Sequence, residues 1–281
     1  MRIITDTSSD ITLTEAQDLG IDLVKIAITF EDGEAPQGHL EDFETFYQLL
    51  EQAKELPKTS QPSPKEYLDI LKDAQNKNEE VLIITLSSGL SSTYNTVCIL
   101  VESLDKPELV RVIDSKQAIM TQRLLVNKAV ELRAQGKSLH EMVDELTVFR
   151  DKLHLFGCID SLVYLKKGGR IPASLAAIGT VLKVKPIIEI KDTVLSNLGT
   201  VRGTKAAKKH LWTKLDDLDV DLSYGVLMGY TGGLQEKEAL KTYIEDTKTR
   251  YKLDEIKLYP VGGVIGTHLG PGSIIFAVVT K

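Results

Sequence analysis

The apolar run Val81–Leu86 (VLIITL) and the polar turn Ser87–Thr93 (SSGLSST) that follows it decide the fold class. An uncharged run of apolar and β-branched residues is typical of a strand buried on both faces, as in a parallel sheet. A helix to about Ser103 then completes a strand–turn–helix unit of the α/β type. Five of the seven turn residues carry hydroxyls, whereas capping a helix needs one, so the pattern also indicates an anion site at the helix N-terminus.

The first half of the chain repeats this alternation. We predict further strands at Arg2–Asp6, Ile21–Phe30 and Leu109–Asp114, and helices at Asp42–Glu55, 117–134 and 138–153. Polar residues follow the first strand (Thr5–Asp10), either as a helix cap or as ligand groups at the carboxyl end of the sheet. Residues 1–154 are therefore predicted to form a Rossmann-like α/β domain with a parallel sheet and helices on both faces.

The second half has a different pattern. We predict a hairpin of Lys185–Lys191 and Val194–Val201, then alternating strands and helices that include a helix over Gly233–Tyr251. Residues 155–281 therefore form a predicted C-terminal α+β domain with a mixed sheet, and the ligand site is expected between the two domains. The segment Ser174–Leu182 (SLAAIGTVL) fits either a buried helix or a helix that lines an apolar tunnel.

Composition excludes several functional classes. A net charge of −6 argues against nucleic acid as the main partner, and no apolar run approaches the roughly 20 residues of a membrane span. Cys98 and Cys158 lie in apolar contexts and are expected to be buried thiols; with no visible signal peptide, a cytoplasmic location is expected. Metal-ligand spacings, a Walker loop and a GxGxxG motif are absent from the sequence, so neither a metal nor a cofactor is expected.

Two further segments carry candidate ligand groups. The loop 57–64 contains three prolines, which stiffen the backbone around the hydroxyls of Thr59 and Ser60, while Ser63 and Glu66 are predicted to cap the next helix with a capping box. The heptad 266–272 (GTHLGPG) is predicted to be a tight turn that presents His268. Each segment is also compatible with an ordinary surface loop.

Neutral hydroxyls, one imidazole and backbone amides suit a single carboxylate or phosphate. Such contacts alone do not give tight binding, so an apolar tail on the ligand is expected. Two other interpretations stay open. One is a serine esterase or thioesterase that uses Ser91 and His268 with Asp6 or Asp114, although the GxSxG elbow is absent. The other is a binder of small phosphates or sugars.

Six segments in order resemble the DegV family: TDTSSD (5–10), KTSQPS (58–63), TLSSGLSSTYN (85–95), VIDS (112–115), LKKGGRI (165–171) and IGTHLGPG (265–272). The resemblance implies a fatty-acid-binding protein with two α/β domains. It also implies a binding subunit of bacterial fatty acid kinase with no complete active site of its own. Such a subunit presents a long-chain fatty acid to a separate ATP-binding kinase subunit, and the acyl-phosphate product is used in phospholipid synthesis.

The resemblance also implies roles for single residues. Thr59, Ser91 and His268 would hold the carboxylate, and His268 could assist phosphotransfer. Ser60, Ser88 and Thr267 are expected as second contacts, and Arg170 and Arg202 at the pocket mouth for kinase docking or phosphate transfer. One departure is visible: the family usually has Ser-Gly-Thr where this chain has Ser-Ser-Thr at 91–93, and Ser92 is expected to narrow the site slightly.

Overall fold

The computed structural model describes residues 1–176 and 184–281. The strands are β1 Arg2–Asp6, β2 Asp22–Val24, β3 Ala27–Phe30, β4 Gly33–Glu34, β5 Lys58–Ser60, β6 Val81–Thr85, β7 Val110–Asp114, β8 Leu153–Cys158, β9 Val184–Lys191, β10 Val194–Arg202, β11 Val226–Tyr230, β12 Ile256–Pro260 and β13 Ile274–Val279. The helices are α1 Leu13–Leu19, α2 Leu40–Gln52, α3 Pro64–Asn76, α4 Thr93–Glu102, α5 Ile119–Ala134, α6 Leu139–Arg150, α7 Val163–Lys167, α8 Ala173–Ala176, α9 Thr204–Asp216, α10 Leu234–Ala239, α11 Lys241–Tyr251 and α12 Gly263–Leu269.

A four-stranded sheet of order β2-β1-β6-β7 is parallel throughout. Alternate residues of its central strands enter opposite cores because side chains alternate across a strand. Leu82 and Ile84 pack with α5 and α6, whereas Val81 and Ile83 pack with α3 and α4. The predicted Rossmann-like sheet with helices on both faces is confirmed.

A six-stranded mixed sheet of order β10-β9-β8-β13-β11-β12 contains one parallel pair, β11 with β12. One face packs on α9 and α11 through a core that includes the stacked rings of Phe156 and Phe276. The other face, with Leu155 and Ile275, belongs to the core that surrounds the site described below. The predicted mixed sheet is therefore confirmed, while the domain division 1–154 and 155–281 stays a prediction.

A small antiparallel sheet of order β4-β3-β5 was not predicted. The expected single strand Ile21–Phe30 is wrong, because β2 leaves the parallel sheet after Val24 and β3 starts a new sheet at Ala27. Between them, the Ile26 N–H donates to Thr7 Oγ1 at 3.0 Å instead of to a strand. Thr59, one of the residues predicted to hold the carboxylate, lies in this sheet, in β5 and paired with Ile28.

The heptad that was expected to form a turn instead contains most of α12. Glycine has poor helix propensity, but its lack of a side chain lets this helix approach α2 closely. A Cβ at Gly263 would lie 2.6 Å from Phe46 and 2.7 Å from Ile28, and one at Gly266 would lie 2.6 Å from Tyr47 Oη. Tertiary packing therefore decides the conformation of this segment.

Three other local predictions need correction or lie outside the description. Ser63 precedes α3 without a side-chain cap hydrogen bond, so the capping box is not formed; Pro64 at the first helical position already removes one free N–H. The expected helix Gly233–Tyr251 is divided at Leu240 into α10 and α11. The predicted helix Ser174–Leu182 lies outside the described residues beyond Ala176.

Substitution of Gly263 by alanine should destabilise the protein by about 1–3 kcal/mol, because the new methyl group overpacks the contact with Phe46 and Ile28. Urea unfolding measures this change. Gly233→Ala is the matched control, since Gly233 also lies at a helix N-terminus and a Cβ there meets nothing within 4 Å. Equal stabilities of the two variants would contradict close docking of α12.

Candidate functional site

A cavity of about 220 Å³ lies where the three sheets meet. Most of its wall is apolar and comes from the six-stranded sheet, from α5, α7 and α12, and from the segments that follow β2 and β6: Ile26, Leu86, Leu90, Ala118, Ile119, Leu155, Ile159, Leu165, Ile188, Ile190, Leu195, Val264, Ile265, Leu269 and Ile275. Polar side chains in the lining are Thr59, Ser60, Gln61, Ser91, Ser92, Arg170, Glu189, His268 and Ser273. An apolar enclosure with a few polar groups is the usual form of a small-molecule site.

Thr59 and His268 form the central polar contact of this cavity. Thr59 Oγ1 and His268 Nε2 are 2.9 Å apart, across 209 residues of sequence. Burial, and secondarily the positive charge of Arg170, lowers the pKa of His268 from its usual 6.5 to about 4. The imidazole is therefore neutral near pH 7 and acts through hydrogen bonds rather than charge.

The position of His268 is set at both ends of α12. At the N-terminal end, the Gly262 N–H donates to Asp10 Oδ1 at 3.1 Å, and Tyr47 Oη donates to the Val261 carbonyl at 2.9 Å. Burial raises the pKa of Asp10 to about 7. These contacts join α12 to the turn that follows β1 and to α2, so His268 is held against Thr59 by the fold itself.

At the C-terminal end, His268 lies against the glycine turn that follows α7. Gly168 is so close that a Cβ there would lie within 3.0 Å of His268 Cε1 and still closer to Nδ1. Among the described residues, buried Nδ1 has no hydrogen-bond partner. Gly168 thus presents bare backbone to the ring, and a side chain there would overlap the imidazole.

The hydroxyl-rich turn supplies the other side of the polar end. Ser91 Oγ lies 2.8 Å from Thr93 Oγ1. Ser92 and Thr96 both donate to Gln61 Oε1, at 2.8 and 3.0 Å, and so tie the loop after β5 to α4. The structure therefore brings Thr59, Ser60, Ser91 and His268 to one cavity, and their role in holding a carboxylate stays a prediction.

Arg170 lies at the mouth of the cavity and is exposed. Its Nε donates to the Leu90 carbonyl at 3.1 Å and its Nη1 to the Gly168 carbonyl at 2.7 Å. The same residue borders an open outer cleft of about 660 Å³, which His268 and Thr59 share and to which Lys54, Lys58 and Lys167 also contribute. The polar end of the cavity thus opens toward a basic surface.

The structure does not bring three of the other expected residues into the described cavity lining. Ser88 donates to Asp114 Oδ2 at 2.5 Å and faces an outer groove, and Thr267 donates to its own helix at Gly263 O, 2.7 Å away. Arg202 is exposed at the far end of β10, paired with Val184, whereas Leu195 near the start of that strand lines the cavity. The hydroxyls of Ser88 and Thr267 are occupied by local hydrogen bonds.

The groups of the alternative hydrolase do not assemble in the described structure. Ser91 pairs with Thr93 and His268 pairs with Thr59, so the hydrogen bond from nucleophile to base is not formed. Asp6 accepts hydrogen bonds from Ser8 and from the Leu86 N–H, and Asp114 accepts from Ser88. Neither carboxylate orients the imidazole.

Within residues 1–176 and 184–281, His, Cys, Asp and Glu side chains form no group of three suited to a metal ion. Burial raises the pKa of the Cys158 thiol to about 11, and Cys98 is partly buried. None of the described helices combines the length and apolarity needed to cross a membrane.

The pKa of His268 predicts a specific pH dependence of stability. Because the folded pKa is about 4 and the usual value is 6.5, protonation favours the unfolded chain. This contribution to stability is complete above pH 6.5 and falls as the pH drops toward 4. Between pH 7 and 4.5, the free energy of unfolding of wild type should fall by about 2–3 kcal/mol more than that of His268→Gln, as measured by urea unfolding. Asp10 titrates in both proteins, so its contribution cancels when their stabilities are compared. Parallel profiles of stability against pH for wild type and His268→Gln would contradict a buried neutral imidazole.

Several lining residues were not singled out from the sequence. Gln61 stands in the KTSQPS segment beside Thr59 and Ser60, and its position next to those hydroxyls was an available signal. Ser273 precedes the apolar strand β13, and the alternation of that strand places it on the same face as Ile275. Glu189 lies within a predicted strand, where sequence alone does not show which face borders a cavity.

Comparisons with known proteins agree with this architecture. The family model described as "Uncharacterised protein, DegV family" matches residues 1–281. A DegV domain-containing protein of Clostridium acetobutylicum is 30% identical over 285 residues, which cover 100% of this chain and 98% of the relative.

Solved structures show the same fold. A fatty acid binding DegV family protein from Streptococcus agalactiae superposes with a TM-score of 0.83 at 27% identity, covering 100% of this chain and 98% of that one. DegV, a fatty acid binding protein from Bacillus subtilis, superposes with a TM-score of 0.82 at 27% identity, covering 100% and 99%. The chain belongs to the DegV family.

Proposed function

We propose that this protein binds a long-chain fatty acid, with the acyl chain in the apolar cavity and the carboxylate at Thr59 and His268. The observation that carries the proposal is the cavity itself, whose apolar wall ends in a cluster of hydroxyls and one neutral imidazole. Each buried methylene contributes about 0.8 kcal/mol, so the chain supplies most of the affinity and the polar end fixes its orientation. Similar chains from Streptococcus agalactiae and Bacillus subtilis are fatty acid binding proteins, which supports the assignment.

The contact between Thr59 and His268 suits a carboxylate in one proton arrangement. If Nδ1 carried the proton, a buried donor would have no acceptor among the described residues. If Nε2 carries it, Nε2 donates to Thr59 Oγ1, and the threonine hydrogen is free to donate to the ligand. A charge-assisted hydrogen bond of this kind contributes about 1.5–3 kcal/mol. Arg170 at the mouth adds a favourable positive potential.

The protein is further proposed to present the carboxylate to a separate ATP-binding kinase subunit, in the cytoplasm. The sequence offers no phosphate-binding loop of its own, while the carboxyl end opens on the basic outer cleft with Lys58, Lys167 and Arg170. A carboxylate oxygen would attack the terminal phosphorus of ATP, the bond to ADP would break, and acyl-phosphate and ADP would result. Such a product is an activated acyl donor for phospholipid synthesis.

Native mass spectrometry of protein purified from bacteria tests the binding proposal. The expected result is a co-bound fatty acid, and added oleate should raise the unfolding temperature of delipidated protein in proportion to the logarithm of its concentration. Protein that carries no bound fatty acid and whose unfolding temperature does not change with added oleate would overturn the proposal. Displacement by inorganic phosphate but not by fatty acid would instead favour a small-phosphate binder.

Arg202→Ala separates binding from transfer. Because Arg202 is exposed at the far end of β10, the variant should bind fatty acid within about two-fold of wild type. Acyl-phosphate formation with the kinase subunit should fall if this arginine serves docking. Fluorescent fatty acid titration and an acyl-phosphate assay measure the two quantities. Loss of binding would place Arg202 at the pocket and contradict its proposed role.

A further inference from the structure

Ser273 places an unpaired hydroxyl in the apolar part of the cavity wall. Its side chain is 3% exposed, and its Oγ has no hydrogen-bond partner among the described residues. The backbone of Ser273 is fully used, because its N–H donates to Thr231 Oγ1 at 2.8 Å and its carbonyl accepts from the Thr231 N–H at 3.2 Å. Only the hydroxyl is available to a ligand.

The other buried or partly buried hydroxyls of the cavity differ from Ser273 in having partners. Thr59 pairs with His268, and Ser91 pairs with Thr93. A buried hydroxyl without a partner is destabilising, so a ligand group that satisfies it gains affinity. Ser273 borders a cavity, in contrast to Thr85, whose Oγ1 is equally buried and unpaired but contributes to none of the described cavity linings.

The surroundings indicate a neutral partner. Ser273 shares a sheet face with the apolar side chains of Ile275 and Ala277, which follow on β13. Glu189 borders the same cavity and is neutralised by Lys214 at 2.9 Å, so a second negative group on the ligand would meet no free cation in the described lining of this wall. A hydroxyl on the ligand, which both donates and accepts, fits this environment.

We infer that the cavity takes a long-chain fatty acid that carries a hydroxyl on its acyl chain, with Ser273 Oγ as the specificity-determining contact. The inference rests on the proposed fatty acid function and names the substrate class of the same site. An unsubstituted chain leaves the serine hydroxyl unpaired. A hydroxyl at the matching carbon pairs with it and recovers the desolvation cost of both groups.

The test compares octadecanoic acid with a series of monohydroxyoctadecanoic acids whose hydroxyl moves along the chain. Dissociation constants are measured by displacement of a fluorescent fatty acid from wild type, Ser273→Ala and the control Thr85→Val. For at least one positional isomer, Ser273→Ala should weaken binding about ten-fold. The dissociation constant of octadecanoic acid should change less than about two-fold on Ser273→Ala. The control Thr85→Val should alter the affinity for neither ligand. A structure with the preferred isomer should place its chain oxygen about 2.8 Å from Ser273 Oγ.

Failure of this inference is distinguishable from failure of the proposed function. If octadecanoic acid binds wild type but Ser273→Ala affects no hydroxylated isomer selectively, the serine subsite is refuted and fatty acid binding stands. If octadecanoic acid and every isomer fail to bind wild type, the fatty acid function itself is refuted. A similar loss in Thr85→Val would show a general effect of removing a buried hydroxyl and would also overturn the inference.

Discussion

Replacing Gly168 by alanine should lower fatty acid affinity by about ten-fold or more. The backbone of Gly168 has φ −75°, which alanine adopts without strain, so the effect comes from the side chain alone. The added Cβ would overlap His268 Nδ1 and lie 3.0 Å from Cε1, while the Tyr164 carbonyl at 3.2 Å limits movement away from the ring. The imidazole must therefore turn and lose its hydrogen bond to Thr59. Isothermal titration with a fatty acid measures the loss.

Two controls make this prediction specific. Gly233→Ala adds the same methyl group in open space and should leave binding unchanged. In a His268→Ala background the ring is absent, so Gly168→Ala should cause almost no further loss of fatty acid affinity. The effects of the two substitutions on affinity should therefore be strongly non-additive. Wild-type affinity in Gly168→Ala, or an undiminished loss in the double variant, would contradict the close contact between Gly168 and His268.

Thr59→Val should weaken binding of a fatty acid by about ten- to 150-fold, because it removes a charge-assisted hydrogen bond of about 1.5–3 kcal/mol while keeping the shape of the side chain. The methyl ester of the same acid carries no charge, so Thr59→Val should change its affinity much less. The ratio of the two affinities in wild type and variant, measured by displacement of a fluorescent probe, isolates the carboxylate contribution.

Thr213→Val is the matched control, since Thr213 is exposed on α9 and its hydroxyl bonds only its own helix, at the Lys209 carbonyl. It should bind both ligands as wild type does. Equal losses for acid and ester in Thr59→Val would show that Thr59 shapes the cavity without contacting the carboxylate, and the proposed orientation of the ligand would then be wrong.

The parallel sheet could be predicted because its signal is local. Val81–Leu86 has no polar face, and such a strand is stable only between two layers of helices. The mixed sheet could also be predicted, from the hairpin of β9 and β10. The separate sheet of β4, β3 and β5 could not be predicted, because Ile21–Phe30 reads as one strand-like segment. The break between Val24 and Ala27 is accompanied by the tertiary contact of Ile26 with Thr7.

The candidate site was predictable in its residue types but not in its geometry. Thr59 and His268 were singled out as a hydroxyl on a stiff loop and an isolated imidazole, and their contact depends on α12. Sequence predicts a turn there because glycine disfavours helices, and the helix is stabilised by packing on Phe46. Ser88 and Ser91 are chemically alike, so only the fold shows that Ser88 bonds Asp114 while Ser91 bonds Thr93 at the cavity.

The anchoring of α12 has a consequence for the order in which the molecule assembles. The Thr59–His268 contact spans 209 residues, and the Asp10–Gly262 contact spans 252. Closing such long loops costs chain entropy before any contact compensates for it, so we expect these closures to come late in folding. After dilution from denaturant, helical circular dichroism should therefore recover before the capacity to capture a fatty acid. We therefore expect binding competence to be acquired late in folding.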